Sequence, residues 1–503
     1  MRKSLKVIIG LCVCALSFGL IGANNEGTEV PGTRKTGHGG QPPLQPGRMF
    51  TVDMQNRIYL THVYSYGSET WFIIHSDDFG QTWSEWAEVP PGICNRGVMT
   101  CDSPGNLYVA SICFTMGLFF TSSEDGGIHW SDPKWMLKRT EGKIPVDVTL
   151  NCVGETLYLA YLDQRASRWN NDLYFMISHD RGETWSDEEV LWNDSLGHSR
   201  RLAADVCGSE WVALWYEWFS DGEYENMQGI LYLRSSEDGG KIWSPIRYPA
   251  GEEPLYVAKV GANIFQCLDV EITPDAYYVS WDSSHVAFFA SSSDKGVTWT
   301  RQVLFEADSS RSDVELDARG NLVAALVCAD GKSLLRYSID RGESWSEPKV
   351  IGQSDFDDRV LPWYMGTWEP RLAIDKDYRI HALWHQAVDT LEAALFYYCE
   401  TETAIEEAPS VELAPPLQAF PNPFRDHVNL VISLDPQDAL EPAIYDAAGR
   451  LVRSFGKISP GNGLVMIDWN GRDAKGRAVP KGSYFVRVRR GEDERSLKIV
   501  RIR

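Results

Sequence analysis

The 503-residue chain has no long Ala/Glu/Leu/Lys stretch at helical period, which argues against helix bundles. It also lacks positive charge. Forty-eight Lys+Arg stand against 70 Asp+Glu, a formal charge of −22, so a whole-molecule role on nucleic acid or an anionic membrane surface is disfavoured. Beyond the first two dozen residues no apolar run is long enough to span a bilayer, so no transmembrane segment is expected in the mature chain. Cysteine is present without a rhythm: Cys94, Cys101, Cys113, Cys152, Cys207, Cys267, Cys328 and Cys399 show neither a CxxC pair nor a disulfide-scaffold spacing. His198, His285 and His385 have no ligand spacing and the Asp-rich turns no EF-hand order, so neither a metal nor another cofactor is expected.

What the chain has is aromatics and glycine. Nineteen Trp, 21 Tyr and 42 Gly favour many short strands joined by tight turns. The first residues differ from the rest: Met1, Arg2, Lys3 and Lys6 form a basic start, Val7 to Ile21 an apolar run, and Gly22-Ala23 a small-residue exit. Residues 1–23 therefore read as an export signal, which predicts a secreted or cell-surface protein.

One phrase recurs six times, Ser-x-Asp-x-Gly-x-Thr-Trp. Its copies are Ser76 to Trp83, Ser123 to Trp130, Ser178 to Trp185, Ser236 to Trp243, Ser292 to Trp299 and Ser338 to Trp345, with starts 47, 55, 58, 56 and 46 residues apart. Such a period fits one four-stranded sheet per repeat, the length of a propeller blade. Within the phrase, Asp can accept backbone N–H bonds, Gly takes a positive φ and Trp packs on a neighbouring sheet, so the phrase reads as scaffold. The seventh place, occupied by His129, Ile242 and Ser344 in three copies, reads as tolerant.

Short strands precede every copy, and a seventh set (RLAIDK, RIHALWHQ, AALFYYCE) ends at Glu400 with no phrase after it. The expected fold is all-β, a propeller of seven blades with six as the alternative, its ring closed by the segment before Met49. The domain plan is a leader (1–23), an N-terminal linker (24–45), the propeller (46–402), a polar linker (403–416) and a C-terminal domain (417–503). From Leu417 onward there are 15 Lys+Arg and 10 Asp+Glu, a net of +5, which leaves −27 for the rest. This tail carries period-2 strands between Gly and Pro turns and reads as a small Ig-like β-sandwich.

The six phrases resemble the Asp-boxes, or BNR repeats, of the sialidase superfamily, over roughly residues 46 to 402. The tail resembles the C-terminal sorting domain of proteins exported by type IX secretion. The matching residues are Phe420-Pro421-Asn422-Pro423-Phe424, Ala443-Ile444-Tyr445-Asp446 with Gly449-Arg450, Trp469-Asn470-Gly471-Arg472-Asp473 with Gly476, and Pro480 to Phe485. The first resemblance implies a propeller acting on or binding extracellular carbohydrate. The second implies the type IX machinery as a partner.

Chemistry is expected on the propeller face built from the loops between second and third strands and from the connections into each first strand. A glycoside hydrolase needs two carboxyl groups facing one bond, and Asp163, Glu217, Asp282 and Glu369 are the catalytic candidates there. Arg165, Arg201, Trp218 and Arg371 are the substrate-binding candidates, since sugars stack on aromatic faces and hydrogen-bond to planar polar groups. Sialidases carry an Arg-Ile-Pro motif early in the chain; here the nearest phrase is Lys143-Ile144-Pro145, and Lys is a poorer bidentate partner for a carboxylate. The reading is thus an exported sialidase-like propeller acting on glycans as a hydrolase, with a non-catalytic carbohydrate- or protein-binding propeller as the alternative.

Overall fold

The computed structural model describes residues 27–31, 33, 35–36, 50–63, 71–90, 96–113, 116–167, 170–193, 198–220, 227–251, 255–257, 267–283, 286–307, 313–354, 367–389, 392–400, 417–420, 424, 427–433, 441–447, 449–458, 464–490 and 493–502. Residues 1–23 and 403–416, read above as leader and linker, lie outside them. Among the described residues the one helical feature is a 3-10 turn, Arg139–Glu141, and no helix is long and apolar enough to cross a membrane.

Six sheets of four antiparallel strands follow one another along the chain, each in sequential order. Their first strands are Phe50–Val52, Arg96–Cys101, Pro145–Val153, His198–Cys207, Leu268–Ile272 and Asp313–Arg319. A seventh sheet contains Thr367–Ile374, Ile380–Asp389 and Glu392–Glu400, and its outer positions are filled from the other end of the chain by Thr28–Glu29 and Lys35–Thr36. Each first strand touches the next, and Thr367–Ile374 touches Phe50–Val52. The result is a seven-bladed propeller around a central channel. The stretch 24–45, expected as a linker, thus carries the strap that closes the ring.

Blades stack face to face, so their second strands are covered on both sides and cannot alternate polar with apolar. Leu107–Cys113, Tyr277–Ser283 and Leu322–Ala329 are buried at every position. In the repeated phrase, Ser ends the third strand and the turn leads to the fourth. Ser76 Oγ accepts the Gly80 N–H at 2.8 Å, and Asp78 Oδ1 accepts the Thr82 N–H at 2.8 Å. Gly80 (φ 79°) is fixed twice over, because a Cβ there would also stand 2.3 Å from the Tyr397 ring. The phrase tryptophans reach the preceding blade: Trp185 meets Phe120, Trp345 meets Phe289, and Trp83 meets Tyr397 across the closing junction. The seventh place is less tolerant than it reads. Thr82, Thr184, Thr298 and Ser344 hydroxyls and the His129 ring all bond the phrase Asp, and Ile242 alone has no group to do so.

Four blade junctions are also crossed by a carboxylate on a first strand. Asp147 accepts the Leu202 N–H at 3.2 Å, Asp205 that of Ile272 at 2.8 Å, Asp269 that of Leu316 at 2.9 Å, and Asp317 that of Ile374. Each bond ties one inner strand to the next blade.

The tail forms a sandwich of its own. Leu417–Phe420, Val428–Ser433 and Leu464–Trp469 make one sheet; Leu451–Ser454, Glu441–Asp446, Gly482–Arg490 and Asp493–Arg501 make the other. Phe424, Trp469, Tyr484, Val486 and Ile499 fill the space between. Two turns follow one design: Asp446 Oδ1 accepts the Arg450 N–H and Asp473 Oδ1 the Arg477 N–H, both at 2.9 Å.

Candidate functional site

A cavity of about 240 Å3 lies in the channel and is lined by residues of all seven first strands or their entrances. Period-2 alternation sets its chemistry. Val148, Leu150, Val270, Val314 and Leu316 point between blades into apolar clusters. Their neighbours on the same strands, Asp147, Thr149, Asn151, Asp269 and Glu315, line the cavity together with Arg201 and Arg371. Phe50, Gly97, Val98 and Met99 from the first two blades make the remaining wall apolar. Leu202, Ala203 and Leu268 add apolar lining on the fourth and fifth blades, so polar and apolar surface are mixed, and the charged lining residues come from the third to seventh blades.

Within that lining Arg371 Nη1 donates to Glu315 Oε2 at 2.8 Å and to the Pro370 carbonyl at 2.6 Å. Asp269 takes two backbone N–H bonds, from Leu316 to Oδ2 and Val270 to Oδ1, both at 2.9 Å. Burial nonetheless outweighs those bonds and the nearby Arg371, and pushes the Asp269 carboxyl up to about 6. Thr149 is 9% exposed; its hydroxyl and the Asn151 Oδ1 have no hydrogen-bond partner among the described residues. Polar atoms left in this state on a cavity wall are places for water or a ligand.

Of the candidates read from the sequence, the cavity brings together Arg201 and Arg371. Asp163, Glu217 and Asp282 are not among its lining residues, and they are 0%, 2% and 4% exposed. All three sit near the ends of second strands, where Asp163 and Asp282 hold the entries to their own blades and Glu217 holds the fourth strand of the blade before it. Asp163 Oδ1 accepts the N–H groups of Ile144 at 3.1 Å and Arg165 at 2.7 Å; Asp282 Oδ1 accepts that of Cys267 at 2.9 Å; Glu217 Oε1 accepts the Trp192 indole N–H at 2.5 Å. The side chains of Glu369 and Trp218 lie outside the described residues, although Glu369 belongs to the strand that carries Arg371.

Arg165 belongs to a second polar group at the edge of the third blade. It donates to Asp163 at 3.0 Å and to both oxygens of Glu188, and its guanidinium lies 4.0 Å from the Tyr174 ring centre. Tyr161 and Lys143 also reach Glu188, the latter at 3.4 Å. Burial alone would raise the Glu188 carboxyl, but Arg165, Tyr161 and Lys143 hold it down to about 2. Lys143 is thus engaged with a carboxylate of its own blade.

The residues that sequence reasoning missed are Asp147, Thr149, Asn151, Asp269 and Glu315. They are interior to short strands, and no motif or spacing in the sequence marks them.

Residues 429–494 match the model of a FlgD Ig-like domain. No curated protein matches the chain. Among solved structures, an α-L-arabinanase of Penicillium chrysogenum complexed with arabinobiose is similar at 16% identity and a TM-score of 0.42, covering 59% of this chain and 93% of that one. An α-L-arabinofuranosidase from Fusarium graminearum is similar at 14% identity and a TM-score of 0.42, covering 61% of this chain and 96% of that one. A Trypanosoma rangeli sialidase in complex with the inhibitor DANA is similar at 10% identity and a TM-score of 0.41, covering 82% of this chain and 86% of that one. These likenesses are distant, and the seven-bladed architecture stands on the chain's own sheet order.

Proposed function

We propose that the chain is an exported propeller that takes one residue of an extracellular glycan into its channel cavity and hydrolyses the glycosidic bond. The observation that carries the reading is the mixed lining of the cavity, apolar groups beside charged ones. Phe50 and Met99 offer an apolar wall for a sugar face, and Arg201, Arg371, Asp269 and Glu315 offer donors and carboxyl groups for its hydroxyl edge. In this reading Asp269, whose carboxyl is pushed up to about 6, is the general acid, and Glu315, held by Arg371, is the second carboxyl group. Asp163, Glu217 and Asp282 serve the same site by fixing the strands and connections around it, and Glu369 remains a candidate beside Arg371.

A panel of aryl glycosides, sialosides included, run beside a glycan array tests this. Glu315→Gln and Asp269→Asn are expected to cut turnover at least a hundred-fold while array binding persists. Glu369→Gln, Glu217→Gln, Asp163→Asn and Asp282→Asn complete the set, and full activity in both cavity variants with loss in one of these four would move the acid elsewhere. The second reading, a carbohydrate- or protein-binding propeller without catalysis, is favoured by the two backbone N–H groups on Asp269, which suit a structural carboxylate. Array binding with no hydrolysis on any glycoside would establish it.

The leader and the tail support export. The tail would serve as the sorting signal for type IX secretion and place the propeller outside the cell or on its surface. Deleting 417–503 is then expected to strand a folded propeller in the periplasm of a host with that system; unchanged secretion would make the tail a spacer.

A further inference from the structure

The seven blade junctions are not tied alike. From the third blade to the seventh, each is crossed by a first-strand carboxylate on the next blade's backbone. A second set of ties stands at the repeated phrase. Its fourth place has a positive φ, and Phe79, Arg181, Lys295 and Arg341 adopt it at 58°, 58°, 59° and 63° although that backbone is costly for a side chain. Each reaches the blade before it. Arg181 lies 3.6 Å from Asp102, Lys295 3.4 Å from Glu210 and Arg341 2.9 Å from Asp275, while the Phe79 ring lies 4.0 Å from the Arg379 guanidinium.

Two copies have glycine at that place, Gly239 in the fourth blade and Gly126 in the second. The fourth blade keeps the Asp147 tie and adds Arg234 Nη1 on the Leu191 carbonyl at 2.8 Å. Between the first and second blades the polar contacts among the described residues are weaker. Thr51 Oγ1 lies 3.5 Å from Cys101 Sγ, the same thiol reaches the Val52 carbonyl at 3.6 Å, and the exposed Gln55 amide meets the Ser103 carbonyl at 3.3 Å. Thiols are poor donors and acceptors. The rest of this junction is apolar, with Tyr59, Trp71 and Ile73 packed on Met99, Leu107 and Val109. Such contact is non-directional, so the two faces can slide where hydrogen-bonded ones cannot.

We propose that the junction of the first and second blades is the seam at which the ring opens and closes. The second blade stays with the third through Lys134 Nζ on the Gly182 carbonyl at 3.1 Å, and the first with the seventh through Asn56 Nδ2 on Asp377 at 2.7 Å. Phe50, Gly97, Val98 and Met99 flank the seam and line the cavity, whereas its charged lining residues belong to the tied blades. Opening therefore moves an apolar wall and leaves the charged groups in place. The seam involves no ligand, so it stands or falls separately from the glycan reading.

Hydrogen exchange of the full chain, resolved by strand, tests this. Leu107–Cys113 of the second blade and Leu322–Ala329 of the sixth are both buried at every position, so without a seam their amides should exchange alike once corrected for sequence. Leu107–Cys113 is expected to exchange about ten-fold faster. Thr51→Cys supplies a clamp, because a sulfur in place of Thr51 Oγ1 needs only a small movement to bond Cys101 Sγ; oxidised glutathione takes up the two thiol hydrogens as the disulfide forms. The clamp is expected to slow Leu107–Cys113 to the rate of Leu322–Ala329, and reductant to restore the difference, with wild type taken through the same treatment as control. Equal exchange of the two strands in the wild type, or a disulfide that leaves Leu107–Cys113 as fast as before, overturns the proposal. Should the disulfide not form, the wild-type comparison decides by itself.

Discussion

Gly27→Val should unlock the ring at the point where its two ends meet. The Trp384 indole, 0% exposed on the second strand of the seventh blade, lies between two glycines. A Cβ on Gly27 of the strap would stand 2.1 Å from Cη2, and one on Gly352 of the sixth blade 2.4 Å from Cζ2. The slot is held shut by the Gly27 N–H on the Ile351 carbonyl at 2.7 Å and by Trp384 Nε1 on Gln386, whose amide reaches the Gln353 carbonyl at 2.8 Å. An added side chain has nowhere to go, so either the indole leaves its rotamer or the strap lifts. Overpacking of this kind costs about 1–3 kcal/mol. Lifting the strap would also expose Val30 and so forfeit about 1.5–3 kcal/mol of burial. Thermal unfolding measures the first effect, and hydrogen exchange at the Leu395 amide, which donates to Thr33 Oγ1 at 3.1 Å, measures the second. Because the clash is with one side chain, Trp384→Leu in the same molecule should recover part of the Gly27→Val loss, a coupling of about 0.5–3 kcal/mol. Wild-type stability in Gly27→Val, or strict additivity with Trp384→Leu, would refute the slot.

Thr298→Val removes the hydroxyl that bonds Asp294 at 2.7 Å and should cost about 1 kcal/mol, whereas Ile242→Thr, at the one phrase without that bond, should be neutral or stabilising in the same melt. Glu188 is held down to about 2, so its contribution is present above the unfolded value near 4.5 and is lost as pH falls towards 2; Arg165→Met should flatten that acid limb in a pH series of unfolding midpoints. Arg371→Lys keeps a charge but not the planar guanidinium whose Nη1 meets both Glu315 and the Pro370 carbonyl, so glycan binding should weaken about ten-fold with the melting curve little changed, as a binding isotherm would read.

The ring was legible because its period is written six times and because the seventh set of strands ends without a phrase, which left an outer position to be filled from before Met49. The cavity lining was legible at two arginines and not at its carboxylates. Arg201 and Arg371 stand near the beginnings of first strands, where position alone predicts channel access. Asp163, Glu217 and Asp282 attracted attention as acidic residues near loops, yet strand ends are also where unpaired backbone N–H groups gather, and Asp163 and Asp282 accept them. Asp269 and Glu315 escaped because a strand of five to seven residues reads as scaffold, and only the three-dimensional ring shows that alternate positions of seven such strands converge on one axis.

The strap also sets an order of events in time. Thr33 and its partner Leu395 are 362 residues apart, so the contact that completes the seventh blade cannot form until nearly the whole propeller has been made. Joining ends that far apart carries a loop-closure cost of about 5 kcal/mol if nothing intervenes. Blades assembled one upon another shorten that distance before the strap arrives, and the docking of Val30 then becomes the last, fast step of a slow, largely non-local assembly. Until then the strand Glu392–Glu400 has an open edge, and a chain emerging head first carries its latch ahead of its keyhole. The interval between the two is a window in which a second copy's strap can fill the seventh blade, so crowded refolding should favour exchanged dimers and rings while dilute refolding favours the closed monomer.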